Sequence, residues 1–347
     1  MKKLLFLALL MPLCFLVTNA QPPKVNPVDK VDSSKFFNDD APIEMTLSTD
    51  MKKLLSNKLK MEDQPATVTM HFPDGSSFNG DVAIRARGLT RKETCAMPPT
   101  MIDFKKGSAS GLSSLHKLKL VSGCSTSAEE ERLAMKEYLV YKIYNLLTDM
   151  SFRVRLAKIT YEDTKGKKNY TQYGYLIEDV DAMAKRSHCK ELEKVAYGQD
   201  QTDRAQITLV CLFQYMVGNA DWAVPNYHNM KLIQSKDASK PLPYAVPYDF
   251  DYCGFVNAYY ALPPEELGNK DVKERVYRGF PRTMEELQVC LKSFTDQKQN
   301  IHNLISNFEP IPAKYRGEMT DYIDEFYNII RDKKSVQREF IDNARTK

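Results

Sequence analysis

Apolar and polar residues alternate along the front half of the chain and recur at helical spacing along the back half. From residue 41 the pattern is that of strands: 43–48, a short amphipathic stretch at 51–59, then 67–72 with Val68, Met70 and Phe72 on one face. Pro73-Asp74-Gly75 supplies turn chemistry, and 78–87 answers with Val82 and Ile84, which predicts a hairpin. A second hairpin is expected from 100–104 and 116–121, joined by the Gly/Ser-rich stretch 105–114. Ser127 followed three residues later by Glu130 is a capping-box signature. It opens an apolar stripe of Leu133, Met135, Leu139, Val140, Ile143, Leu146 and Leu147, which predicts one long helix. Strands are expected around 152–156 and 173–177, on either side of a polar turn at 165–168. Beyond 180, helices are predicted at about 203–217, 283–306 and 313–345, interrupted by a strand–turn–strand at 230–233 and 244–246.

This order predicts an α+β chain in two lobes, mainly sheet with one long helix over 41–178 and mainly helical over 179–347, with a cleft between them. The length of 347 residues and a hydrophobic content of 43% suffice for such a unit, and 27% charged residues is ordinary for a folded chain. Met1-Lys2-Lys3, an apolar run to Val17 and the small residue Ala20 read as a secretory signal peptide over 1–20. A Pro-, Asp- and Ser-rich arm over 21–40 follows. The expectation is an exported protein, periplasmic, cell-surface or secreted, with no transmembrane segment in its mature form. Of the 49 Lys and Arg, two fall in the leader, and the remaining 47 nearly balance 45 Asp and Glu. That balance gives no electrostatic footprint for nucleic acid.

Export permits disulfides. If Phe104 sits opposite Leu115 in the second hairpin, Cys95 falls opposite Cys124, so that pair is the expected bridge. Cys211, on an apolar helical run, is expected as a buried free thiol. No Cys or His spacing suits zinc, and neither a Gly-x-Ser-x-Gly elbow nor a Walker A loop is present.

The densest polar cluster is Gly218-Asn219-Ala220-Asp221, continuing through Asn226, His228 and Asn229. After the strand–turn–strand comes Pro247-Tyr248-Asp249-Phe250-Asp251. An Asp, an Asn shortly after it, a β-ribbon and then Asp-Phe-Asp is an arrangement suited to phosphoryl transfer. The first carboxylate orients a hydroxyl nucleophile, and the Asn and the later carboxylates hold a divalent metal against phosphates. These segments, with Ile84-Arg85-Ala86-Arg87-Gly88 and Tyr173-Gly174-Tyr175-Leu176-Ile177-Glu178-Asp179, resemble the spore-coat protein H (CotH) kinase family. The resemblance implies a protein-kinase-like fold using ATP and Mg or another divalent metal. It makes Asp221 the catalytic Asp, Asn226 or Asn229 the metal-side Asn, and Asp249 the metal-binding Asp, with Asp251 beside it. It sets Glu178 near the nucleotide base and Arg87 near the phosphates.

The chain departs from that family where a phosphate-holding Lys is expected, since Met101 or Asp103 stands there. Lys117 or Lys119 on the neighbouring strand could take the role, with Glu137 of the long helix as partner. The function expected is an exported kinase with a protein acceptor. The alternative is a pseudokinase that kept the fold as a surface binding or structural module.

Overall fold

The computed structural model describes residues 36–345 apart from 89, 106–109, 167, 168 and 194. The expected leader, residues 21–35 of the expected arm, part of the 105–114 loop and half of the 165–168 turn therefore lie outside the described residues.

Strand β1 (Ile43–Thr49) buries alternate residues, Ile43, Met45 and Leu47, and exposes or half-exposes those between. A one-turn helix, α1 (Met51–Ser56), is capped by Asp50 and leads into β2 (Gln64–His71) and β3 (Ser77–Ala86). Their hairpin turns at Gly75, which takes the left-handed conformation at φ +82°. A single helical turn, α2 (Arg91–Thr94), precedes β4 (Thr100–Asp103) and β5 (Lys117–Ser122). The long helix α3 (Ala128–Leu147) is capped by the Ser127 hydroxyl, which accepts from the Glu130 amide. The Glu130 carboxylate does not complete the expected box; it accepts from the Cys124 amide instead. Then follow β6 (Val154–Asp163) and β7 (Tyr170–Ile177).

These seven strands close into a barrel in the order β1-β2-β3-β4-β5-β7-β6. The seam is a parallel pairing of β1 with β6, Ile43 opposite Ala157. The sequence pattern predicts the sheet lobe of a two-lobed chain; the structure has a closed barrel in place of a clear two-lobed arrangement, a closure missed because the seam joins strands far apart in sequence and leaves no local signal. Inward side chains such as Val68, Met70, Ile84, Ile102, Leu118, Leu120 and Ile159 fill the barrel. Phe36 and Phe37 belong to the same core, and Arg155 pairs with Asp39. The last residues of the expected 21–40 arm are thus packed against the barrel rather than extended.

The second hairpin holds Thr100 opposite Leu120, one residue away from the expected register. Cys95 and Cys124 nonetheless form a disulfide. The offset is taken up beyond the strand ends, where the Met97 amide donates to the Cys124 carbonyl.

The rest of the chain is mainly helical. After α4 (Val180–Arg186) and β8 (Cys189–Leu192) comes α5 (Arg204–Val217), then the ribbon β9 (Met230–Ser235) and β10 (Tyr244–Pro247). Strand β8, not expected from the pattern, makes the ribbon a three-stranded sheet. A long irregular stretch then leads to α6 (Met284–Ser306) and α7 (Ala313–Arg331). The helix expected over 313–345 breaks at Asp332, whose carboxylate caps α8 (Lys333–Gln337). A second core runs through α5, α6 and α7 and includes most of α3. Helix α3 is buried nearly all round because it lies between the outer face of β5-β7-β6 and these helices. Among the described residues no helix is long and apolar enough to cross a membrane.

Candidate functional site

Helix α5 ends where Gly218 adopts φ +65°, a left-handed cap that turns the chain sharply into the polar loop. Asn219, almost wholly buried, accepts the Asp221 amide through its side-chain oxygen and so fixes the loop's first turn. The ribbon then joins the two motifs. Met230 pairs with Pro247, and the Tyr248 amide donates to the Asn229 carbonyl, so Asn229 and Asp249 emerge side by side. Tyr227, Asn229 and Asp249 all have positive φ (58°, 51° and 64°), a costly backbone state for residues other than glycine. Helix α3 supports this floor from behind. The Tyr141 hydroxyl accepts from the Asp249 amide at 2.9 Å, and the Phe250 ring packs edge-on against Tyr141 with centroids 4.8 Å apart.

The result is a cavity of about 350 Å³ between the outer wall of the barrel and the helical half. From the barrel side it is lined by Arg87, Arg91, Lys119 and Ile177, from α3 by Glu137 and Tyr141, and from the loops by Asp221, His228, Asn229, Asp249 and Asp251. A larger hollow of about 820 Å³ on the barrel, lined by Lys53 and by Asp50, Asp63 and Asp81, contains no residue of the two polar motifs.

Asp221 is held on both carboxylate oxygens: Oδ1 is 2.6 Å from Nε2 of His228, and Oδ2 accepts from the side-chain Nδ2 of Asn229 at 2.9 Å. Asn229 also donates to the Asp221 carbonyl. Lys119 reaches the cavity because strand alternation sends Leu118 and Leu120 inward and Lys119 outward. Its ammonium lies 4.8 Å from the Tyr248 ring centroid. Burial, aided by the neighbouring Arg87, lowers its pKa to about 8. Burial also pushes Glu137 and Asp251 well above the usual carboxylate range, and the carboxylates of the cluster, Asp249 foremost for Asp251, add to the effect.

Several sequence expectations are corrected here. Glu178 does not line the cavity. Ile177 faces it, so the next side chain points away, where Glu178 pairs with Arg186 at 2.8 Å in a separate hollow. Lys117 also lies outside, within 3.6 Å of the buried Asp103. Asn226 is an exposed turn residue whose side-chain oxygen accepts the His228 amide; of the two Asn candidates, only Asn229 lines the cavity. The nearest cation to Glu137 is Arg91 at 3.9 Å, not Lys119. Arg87, Lys119, Asp221, Asn229, Asp249 and Asp251 are brought together. The sequence reading did not name Arg91, and it named His228 within the polar cluster without giving it a role. His228 sits inside the polar motif and carried a signal; Arg91 carried none.

Among the described residues no three His, Cys, Asp or Glu side chains form a ready-made metal cluster. The donors present still suit a hard divalent cation, which takes one or two carboxylates and completes its shell with water and phosphate oxygens. Asp249 and Asp251 face one cavity, and the Asp249 carboxylate adds to burial in disfavouring the charged form of Asp251.

No family model matches the chain, and no curated protein does. Among solved structures it is similar to a crystal structure of CtkA, a proinflammatory kinase of Helicobacter pylori. The two are 11% identical, the match covers 81% of this chain and 93% of that one, and the TM-score is 0.35. A likeness that slight carries no argument, and the functional reading rests on the cavity's own residues.

Proposed function

We propose that the chain is an exported kinase of two-lobed, CotH-like build that moves the terminal phosphate of ATP to a protein hydroxyl. The observation that carries this reading is the opposition of charge across one cavity, with Arg87 and Lys119 on the barrel wall and Asp221, Asn229, Asp249 and Asp251 opposite. Phosphoryl transfer needs little covalent help from the protein; it needs phosphates held in place and the charge that develops on them offset. Lys119 and Arg87 hold phosphate oxygens as point charge and fork respectively. Asp249 and Asp251, with the free side-chain oxygen of Asn229, would hold the divalent cation, which supplies charge neutralisation at the phosphates. Asp221 orients the acceptor hydroxyl and takes its proton as the oxygen bonds to phosphorus and ADP departs. His228 and Asn229 keep its carboxylate from rotating.

One observation favours the second reading, a nucleotide-binding module without turnover. Both Asp221 oxygens already have partners, and Glu137 pairs with Arg91 rather than with Lys119. Two measurements separate them. Mg and ATP should raise the melting temperature in either case, by mass action. Only the kinase labels a hydroxyl-bearing protein from terminally labelled ATP. There the Asp221→Ala variant should lose at least about 100-fold in rate while its own melting temperature moves little. Labelling at the wild-type rate in that variant rejects the assignment of Asp221, and no thermal shift with Mg and ATP rejects the nucleotide site.

A further inference from the structure

We infer that Arg91 is a phosphate-oxygen ligand of the cavity and that the Cys95–Cys124 disulfide is the brace that presents it. The inference rests on the nucleotide reading for the source of the anion, but the chemistry of the site defines the anion's class on its own.

Arg91 lines the cavity together with Lys119, Asp249 and Asp251. A guanidinium carries five N–H donors. Among the described residues only one Arg91 donor meets an acceptor at hydrogen-bond distance: Nη2 gives to the Ser122 carbonyl at 3.0 Å. Nη1 stands 3.9 Å from the Glu137 carboxylate, an ion pair without a hydrogen bond. Nε is buried and, among the described residues, has no acceptor. A buried donor left empty is costly, and a planar fork with donors to spare at the wall of a cavity matches the oxygens of a phosphate group. Arg91 thus supplies the guanidinium on the side where Met101, opposite Lys119 on β4, offers no charge.

The brace follows from the local build. Helix α2 is one turn long, too short to persist on its own. Its closing hydrogen bond runs from the Cys95 amide to the Arg91 carbonyl at 3.0 Å. Cys95 is tied by its sulfur to Cys124, two residues past the Ser122 carbonyl that holds the guanidinium. The end of β5 therefore receives both ends of the turn, the head of Arg91 and, through the disulfide, the sulfur of Cys95. Lys58 seals the outside, donating to the carbonyls of Glu93 and Cys95.

The competing account makes Arg91 only the counterion of Glu137. Titration calorimetry of the full oxidised chain with Mg and inorganic tripolyphosphate, and in parallel with Mg and a non-hydrolysable ATP analogue, decides between them. Three variants serve: R91Q, the charge-matched R91Q/E137Q, and C95A/C124A, each assayed below its own melting temperature. The expected result is binding of tripolyphosphate by the wild type and a loss of about tenfold or more in affinity in all three, the value of one charged hydrogen-bonded contact. Wild-type affinity in R91Q/E137Q overturns the role of Arg91 and leaves the nucleotide reading intact. Wild-type affinity in C95A/C124A overturns the brace. Loss in R91Q/E137Q with no wild-type binding of the ATP analogue keeps the Arg91 site and rejects the nucleotide reading. Absence of binding to either ligand in the wild type overturns both.

Discussion

Lys119 and Glu137 face one cavity from different elements, and burial drives both toward their neutral forms. For Lys119, lowered to about 8, the ammonium that attracts phosphate is lost as pH rises through that value. Affinity for Mg and ATP should therefore fall above about pH 7.5, and Lys119→Met should bind weakly and lack that fall; calorimetry between about pH 7.5 and 9.5, above the range in which Asp251 takes up its proton, checks this. The carboxylates run the other way. Glu137 and Asp251 keep their protons to higher pH folded than unfolded, so their stabilising contribution is complete below the ordinary carboxylate range. It is lost as pH rises through their raised values. The ligand-free protein should melt highest under mildly acidic conditions, with a decline toward pH 8 that Glu137→Gln makes shallower; melting curves at stepped pH read both. Part of this was legible in the sequence. The two polar motifs named Asp221, Asn229 and Asp249 because their residue types and order carry the chemistry. The choice of Lys119 over Lys117 was not, because both project from the same outer face of β5 and only the place of the cavity along the strand separates them. Arg91 was invisible, since nothing local says that a surface-looking turn is folded against a cavity.

Elements were read best where one face pattern decides them. Helix α3, helix α5 and the β2–β3 hairpin lie close to their expected bounds, since periodicity and caps agree there. The β4–β5 register came out one residue away because two short strands and a glycine-rich loop set no unique pairing. Helix α4 and strand β8 were missed because each is short and half-polar. At this scale the junction between helix α5 and the polar loop is the sensitive point. Gly218 has φ +65°, and a Cβ there would stand 2.0 Å from the Tyr322 hydroxyl. Gly218→Ala should cost about 1–2 kcal/mol in backbone strain and more if Tyr322 cannot move. It should also reduce phosphate transfer, since the loop it launches carries Asp221. Urea unfolding and the labelling assay test this together, and an unchanged midpoint would contradict the geometry.

At the scale of the whole molecule, the two cores do not divide where the change of sequence texture does. The barrel holds one; α3, which precedes two of its strands, belongs largely to the other. Met135, Leu139, Val140 and Ile143 are buried in that second core. A chain ended after Ile177 would leave this helix without the partners on its far side. It should aggregate or bind hydrophobic dyes where the full chain should do neither, and a soluble monomer from the shortened chain would show that the barrel face alone suffices. The overall class, sheet first and helices after, was legible from the two periodicities. The shared helix was not, because a stripe of apolar residues does not say which neighbour covers it.

The parallel seam of β1 with β6 has a temporal consequence. Ile43 finds Ala157 only after most of the intervening chain has been made. During synthesis the first strand therefore waits, its seam edge unpaired, until β6 has left the ribosome, and rapid premature folding is disfavoured. For the exported chain proposed above, which would thread a translocation channel before it folds, such a delay would be an advantage written into the strand order itself.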